Sequence, residues 1–303
     1  MKRVIVTGGA GFIGSNLVDK LIEKGIEVII IDNLSTGKEE NINLKAEFEK
    51  CDITQKNQLQ KIFKKYNNID VIFHTAALAR VQPSIEDPLN FHNHNVNGTL
   101  NLLYLAKEFK IPRFIYSASS SAYGNTEIYP TPETAPTGPL SPYGLQKYIG
   151  EQYCRVFSEV YGLDTVSLRY FNVYGERMSL EGAYKLVLGI FAQQKLEGKP
   201  LTITNDGNQR RDFTYVGDVV DANILAATKK EQFSGDVFNI GNGNNYSINE
   251  VANMMGGPKK YIGERLEPLQ TLADNKKAKW ILGWNPQGDL EKWIKEYKKE
   301  LGI

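Results

Sequence analysis

Cysteine is scarce: the chain of 303 residues has two, Cys51 and Cys154. They form no CxxC pair and cannot frame a disulfide fold, so a reducing compartment, the cytoplasm, is expected. Net charge is almost absent. The 36 basic and 35 acidic side chains leave +1 with histidines neutral, which removes the electrostatic case for nucleic acid as a partner. Long apolar runs are missing as well. The longest, residues 28–31, falls far short of the roughly 20 residues needed to cross a bilayer, so no membrane partner is expected. Met1-Lys2-Arg3 leads at once into Val4-Ile5-Val6-Thr7, with no apolar h-region or cleavage site, and no signal peptide is expected. The only histidines are His74, His92 and His94. None has metal-ligand partners at useful spacing, so no metal site is expected.

What is present is alternation. β-branched runs at residues 3–7, 27–31, 46–51, 71–74, 113–117 and 165–168 read as strands. Between them, residues 13–24, 57–66, 96–109 and 143–161 carry apolar side chains at helical spacing. Strands separated by helices of that length predict an α/β, doubly wound parallel sheet with helices on both faces. Beyond Leu168 the pattern loosens, with helices expected at 183–197, 216–227, 247–255 and 290–301. Five of the twelve prolines fall within residues 130–142, which predicts an ordered loop leading into the helix at Tyr143.

The first strand runs into Thr7-Gly8-Gly9-Ala10-Gly11-Phe12-Ile13-Gly14. Gly9-x-Gly11-x-x-Gly14 fits the dinucleotide pattern, and Gly8-x-x-Gly11-x-x-Gly14 fits a close variant. Missing side chains allow a tight turn and let backbone N–H groups approach a pyrophosphate at a helix N-terminus. A plain tight βα turn would leave the same trace. The second strand narrows the choice, because it ends at Asp32, 21 residues beyond Gly11. A carboxylate there accepts hydrogen bonds from an adenosine ribose and repels a 2′-phosphate, which favours NAD over NADP.

The strand at 113–117 ends in Ala118-Ser119-Ser120-Ser121, where open α/β sheets bind ligands. Downstream, Ser141 suits a helix N-cap and Pro142 the first helical position. Tyr143 and Lys147, four apart, then share a helix face. A tyrosine titrates near 10 and is a poor base at neutral pH. A neighbouring ammonium and the positive helix end would stabilise its phenolate, and a serine hydroxyl opposite could hold a substrate oxygen. A Tyr-x-x-x-Lys pair is also common as a plain helix-surface pair.

Taken together, Gly8 to Gly14, Asp32, Asp52-Ile53, His74-Thr75-Ala76-Ala77, Asn97-Gly98-Thr99, Ser119 and Tyr143/Lys147 resemble the extended short-chain dehydrogenase/reductase family. Within it the chain is most similar to the UDP-glucose 4-epimerases and their UDP-N-acetylglucosamine-using relatives. The likeness continues through residues 168–175 and Arg211-Asp212-Phe213-Thr214-Tyr215-Val216-x-Asp218. It implies a Rossmann-like NAD-binding domain over residues 1–175, completed by segments near 213–240, and a smaller C-terminal α/β substrate domain over 176–303. It implies NAD contacts from Gly8, Gly11, Phe12, Ile13, Gly14, Asp32, Asn33, Ser35, Asp52, Ile53, Ala76, Ala77, Tyr143, Lys147 and Tyr170. Asp52 and Ile53 would meet adenine, and Lys147 would also hold the nicotinamide ribose. Asn97 would be a supporting structural residue.

The resemblance also implies a reaction. Tyr143, Lys147, Ser119 and Ser120 would be catalytic: Tyr143 removes the proton of the sugar 4-hydroxyl, a 4-keto sugar turns over, and hydride returns to its other face. Dehydratases of this family carry an acidic pair after the strand end, and decarboxylases a glutamate. Ser120 and Ser121 stand here instead, so expulsion of a hydroxyl lacks its proton donor. Ser119, Asn172, Arg211, Arg265 and Thr271 would bind the UDP-sugar, the arginines through its diphosphate. Small Thr271 would leave space for N-acetyl sugars beside UDP-glucose and UDP-galactose. A homodimer through the helices at 96–109 and 143–161 is implied. UDP-glucuronate 4-epimerase and a non-enzymatic NAD-binding scaffold are the rival readings; the role of Arg80 is open.

Overall fold

The computed structural model describes residues 1–178, 186–263 and 267–303. Arg265 and residues 183–185, the start of one expected helix, lie outside the described residues.

The first half alternates strand and helix: β1 (Arg3–Thr7), α1 (Phe12–Glu23), β2 (Glu27–Asp32), β3 (Glu47–Lys50), α2 (Lys56–Lys65) and β4 (Val71–His74). Then come α3 (Val81–Glu86), α4 (Pro88–His92), α5 (Thr99–Glu108), β5 (Arg113–Ser119), α6 (Pro142–Tyr161) and β6 (Asp164–Tyr170). The second half starts with β7 (Val173–Tyr174), α7 (Val187–Leu196), β8 (Leu201–Thr204), β9 (Arg210–Asp212) and β10 (Thr214–Tyr215). It continues with α8 (Val216–Thr228), β11 (Asp236–Ile240), β12 (Asn245–Ser247), α9 (Ile248–Met255), β13 (Lys259–Ile262) and α10 (Leu290–Leu301).

Seven strands form one parallel sheet in the order β11-β6-β5-β4-β1-β2-β3. Every residue of β4, β5 and β6 is buried, as helices on both faces require. Strand alternation sorts the side chains. Val4 and Val6 join Leu17, Leu21, Val219 and Phe238 on the α1/α8 face. Ile5 and Ile29 join Leu102, Phe114 and Cys154 on the α5/α6 face. The chain runs outward from β1 to β3, then returns through α2 to β4 on the other side of β1. The loops after β1 and β4 therefore part, opening a crevice at their carboxyl ends.

A third core gathers Leu188, Phe191, Leu201, Val251 and Ile294. The chain passes between cores repeatedly, since α8, β11 and Trp284 pack with the sheet. The proline-rich loop is pinned across them. Thr131 donates its N–H to the Leu272 carbonyl at 2.8 Å, and its carbonyl accepts the Asp274 N–H at 2.9 Å.

Three local differences from the sequence reading matter below. β5 and β6 extend to Ser119 and Tyr170, because those residues still pair with each other in register. Residues 81–92, left unassigned above, fold into α3 and α4. The helix expected from Val96 instead begins in a wider π turn over Asn93–Gly98, with regular α-helix from Thr99.

Candidate active site

A cleft of about 1200 Å³ lies over the carboxyl ends of the central strands. Its floor is the glycine turn. Gly8 has φ +71°, and a Cβ there would come within 2.7 Å of the Ala76 nitrogen. At Gly14 a Cβ would stand 2.1 Å from the Gly8 carbonyl oxygen. Two strand-end loops and a helix thus meet with no room for a side chain. Gly11 caps α1 without a side-chain hydrogen bond, and the first turn of α1 holds no acid. Phe12 and Ile13, which open that turn, line the cleft. Their end of the helix carries partial positive charge.

Asp32 stands beside this turn. One carboxylate oxygen accepts the Ala10 N–H at 3.0 Å, and the other accepts the Leu34 N–H at 2.8 Å. Burial pushes its pKa up, and these two donors oppose the rise. Asn33, Ser35, Ile53, Ala76 and Ala77 continue the wall. Asp52 does not line the cleft among the described residues. Its carboxylate is committed to Asn33 Nδ2 at 2.8 Å, the Thr54 N–H at 2.8 Å and His94 Nε2 at 3.2 Å. Burial alone would raise its pKa, but Thr54, Asn33 and His94 hold it below the usual carboxylate value. Ile53 and Asn33 present that corner to the cleft.

The opposite end brings Ser119, Ser120, Ser121 and Tyr143 together. Ser141 caps α6 by accepting the Gly144 N–H at 3.1 Å, and Pro142 opens the helix, which fixes where Tyr143 emerges. The Ser119 hydroxyl reaches the phenol and donates to Ser121 Oγ at 3.0 Å. Burial pushes the phenol above its ordinary value; the Ser119 hydrogen bond and the Arg80 charge draw it part of the way back. Lys147 is buried, donates to the Ser117 carbonyl at 2.8 Å and lies 5.0 Å from the Tyr116 ring centre. Burial brings its pKa down to about 7. The sequence reading expected a full ammonium here to leave the phenol below its ordinary value. Burial outweighs those effects here, and the net shift on Tyr143 is upward.

Tyr170 shows its ring to the cleft while its hydroxyl sits 3.1 Å from Ser117 Oγ and accepts Asn223 Nδ2 at 2.8 Å. His74 is buried between the Thr7 and Thr99 hydroxyls, each at 2.8 Å. Burial holds it neutral, so it is a packing group.

Asn172, Arg211 and Thr271 line the far wall. Asn172 donates to Thr271 Oγ1 at 3.1 Å, and the Asp212 N–H donates to the same hydroxyl at 3.1 Å. Arg211 is paired with Glu267, whose other oxygen accepts from Thr204 Oγ1 at 3.0 Å. The sequence reading passed over Glu267 as a site residue, although an acid between Arg265 and Ala273 was visible. It also chose the wrong asparagine. Asn97 is exposed and bonds Asn93, whereas buried Asn95 supports the wall loop through Leu78. Among the described residues, no group of three acidic, histidine or cysteine side chains could hold a metal.

Residues 4–241 match the NAD dependent epimerase/dehydratase family. The chain belongs to that family. It is 42% identical over 300 residues to a putative UDP-glucose 4-epimerase of Methanocaldococcus jannaschii, covering 96% of each chain. The crystal structure of a Thermotoga maritima UDP-glucose 4-epimerase with UDP-glucose superposes with a TM-score of 0.94 at 39% identity. That match covers 99% of this chain and 100% of the other. A UDP-N-acetylglucosamine 4-epimerase of Methanobrevibacter ruminantium, in complex with UDP-N-acetylmuramic acid, gives 0.90 at 37% identity, with 98% and 97% covered.

The cradle in this member of the NAD dependent epimerase/dehydratase family fits the cofactor. Without side chains at Gly8 and Gly14 the turn closes tightly on the loop after β4, and the N-terminus of α1, which has no side-chain cap, opens beside it. Asp32 places a carboxylate at the end of β2, beside that turn, where a ribose acceptor would stand. The other end offers a phenol and a hydroxyl together, which suits proton transfer to and from an alcohol.

Proposed function

We propose that the protein inverts C4 of UDP-hexoses, interconverting UDP-glucose and UDP-galactose and also accepting UDP-GlcNAc and UDP-GalNAc. The observation that carries this reading is the Ser119–Tyr143 pair beside Ser120 and Ser121. A proton acceptor is present there, and no carboxyl acid occupies residues 118–124 to expel a hydroxyl. Tyr143 takes the proton from the 4-hydroxyl while Ser119 and Ser120 hold that oxygen. NAD, when bound, supplies the oxidation and re-reduction at C4. Tyr143 then returns the proton after the 4-keto sugar has turned. Arg211 and Asn172 anchor the diphosphate through the turn, with Arg265 as a further candidate anchor. Thr271 supports the wider substrate range, because its small side chain is drawn back by Asn172 and the Asp212 N–H.

A homodimer is part of the proposal. Leu145, Val156, Val160 and Tyr161 on α6 and Tyr104 on α5 are exposed apolar side chains on the two helices that would pair. No described helix is long and apolar enough to cross a membrane.

The test incubates the purified protein with UDP-glucose, UDP-GlcNAc or UDP-glucuronate, without added NAD, and follows C4 by proton NMR. Inversion of the first two is expected. Inversion of UDP-glucuronate alone would replace the substrate assignment, and inversion of none would overturn the reaction.

A further inference from the structure

We infer that Asp212 is the positioning residue of the substrate wall. Its buried carboxylate and its own backbone together set Arg211, Asn172 and Thr271 in one register for the substrate's diphosphate. The inference rests on the reading that these three residues hold the UDP end of the substrate.

Asp212 ends β9, one residue after Arg211, and is wholly buried. Its carboxylate gathers two separate segments. One oxygen accepts the Asn242 N–H at 2.8 Å; the other accepts the Gly243 N–H at 3.0 Å and the Ala273 N–H at 2.9 Å. The loop after β11 comes this close because Gly241 has no side chain: a Cβ there would stand 2.4 Å from the Ala273 Cβ. Three donors on two oxygens require a group that only accepts. An asparagine in the same place would turn its own N–H bonds toward at least one of them. Burial pushes the carboxyl up to about 7, and the three N–H groups oppose that rise.

The backbone of Asp212 completes the frame. Its N–H donates to Thr271 Oγ1 at 3.1 Å, and its carbonyl accepts Asn172 Nδ2 at 3.2 Å. Asn172 also donates to the Thr271 hydroxyl at 3.1 Å, which closes a ring of three residues. Arg211 is drawn into the same frame, because the Arg210 carbonyl accepts both Arg211 Nη1 at 2.8 Å and the Thr271 N–H at 3.0 Å. Arg211, Asn172 and Thr271 line the cleft, and Asp212 does not. Asp212 therefore acts on a substrate only through them, as the support that keeps their geometry.

The experiment compares the full chain with Asp212→Asn by calorimetric titration with UDP and with NAD, alongside the thermal midpoint. The UDP Kd should rise about tenfold, while NAD affinity stays near the parent's. With UDP-glucose, KM should rise by the same factor and kcat should hold, because Ser119 and Tyr143 stand at the other end of the cleft. A variant that melts earlier yet binds UDP as the parent does would overturn the inference and leave Asp212 a purely structural residue. Should Asp212→Asn fail to fold, Thr271→Val takes its place. It keeps the shape of Thr271 and deletes the hydroxyl that joins the Asp212 N–H to Asn172. UDP, which carries no hexose, should again bind about tenfold more weakly, and unchanged UDP affinity would overturn the inference. A parent that binds UDP but inverts no UDP-sugar would sink the reaction assigned above, and the UDP comparison would still decide the role of Asp212.

Discussion

Asn95 grips Leu78 from both sides: it accepts the Leu78 N–H at 2.8 Å and donates to the Leu78 carbonyl at 2.9 Å. The same carboxamide donates to Gln146 Oε1 at 3.1 Å. One buried side chain thereby ties the cleft loop after β4 to α6, the helix that carries Tyr143. Asn95→Ala leaves those backbone groups unpaired, at about 1–3 kcal/mol for each buried group. Urea unfolding should show the loss, and turnover should fall in the fraction that remains folded. Asn97→Ala should change neither.

Tyr143→Phe removes the proton acceptor and little volume. Epimerisation should drop by roughly 10²–10⁴-fold, while the thermal midpoint and NAD affinity stay near the parent's. Proton NMR of the sugar and calorimetric titration with NAD separate the two effects.

Gly14→Ala puts a methyl group into the Gly8 carbonyl oxygen, and backbone on both sides prevents an easy retreat. Overpacking of this kind costs about 1–3 kcal/mol. The variant should unfold at lower temperature and bind NAD far more weakly, which fluorescence titration would detect. Gly25→Ala also strains the chain, because Gly25 has φ +74°, but its Cβ would meet nothing within 4 Å; the cradle stays intact and NAD should bind normally.

Asp32→Asn keeps the shape of the strand end but removes its charge. Discrimination against the 2′-phosphate of NADP should shrink by about 1–3 kcal/mol. Paired titrations with NAD and NADP measure the ratio directly, so a general loss of stability does not mimic the result.

Lys147 ties stability to pH. Its folded value stands at about 7, against about 10.4 for an unfolded chain. Burial favours the neutral amine, so the folded state binds fewer protons between those values than the unfolded state does. Stability of NAD-free protein should climb from pH 7 towards 10, at no more than about 1.4 kcal/mol per pH unit from this group. Below about pH 7 the folded chain takes up the proton as well, and the contribution levels off at its minimum. Lys147→Met should flatten the curve, and the difference between the two urea-derived profiles isolates the residue.

Much of this was legible in the sequence because it is local. The glycine turn, Asp32 and the Ser141–Pro142 helix start each depend on residues within one turn or one strand. Asn95 was not legible for a geometric reason. The π turn over Asn93–Gly98 takes an extra residue, a change of pitch that no residue in the segment marks. Lys147 was placed on the right helix, but its burial, and with it the fall in its pKa, depends on packing against β5.

The last strand of the sheet has a consequence for how the molecule can be divided. β11 pairs with β6 only after more than sixty residues of intervening chain, and α8 packs on α1 from the same stretch. A gene cut after residue 175 would encode a sheet with β6 as a naked, sticky border and α1 lacking its cover. During synthesis the seven-stranded sheet therefore stays unfinished until residue 240 has left the ribosome.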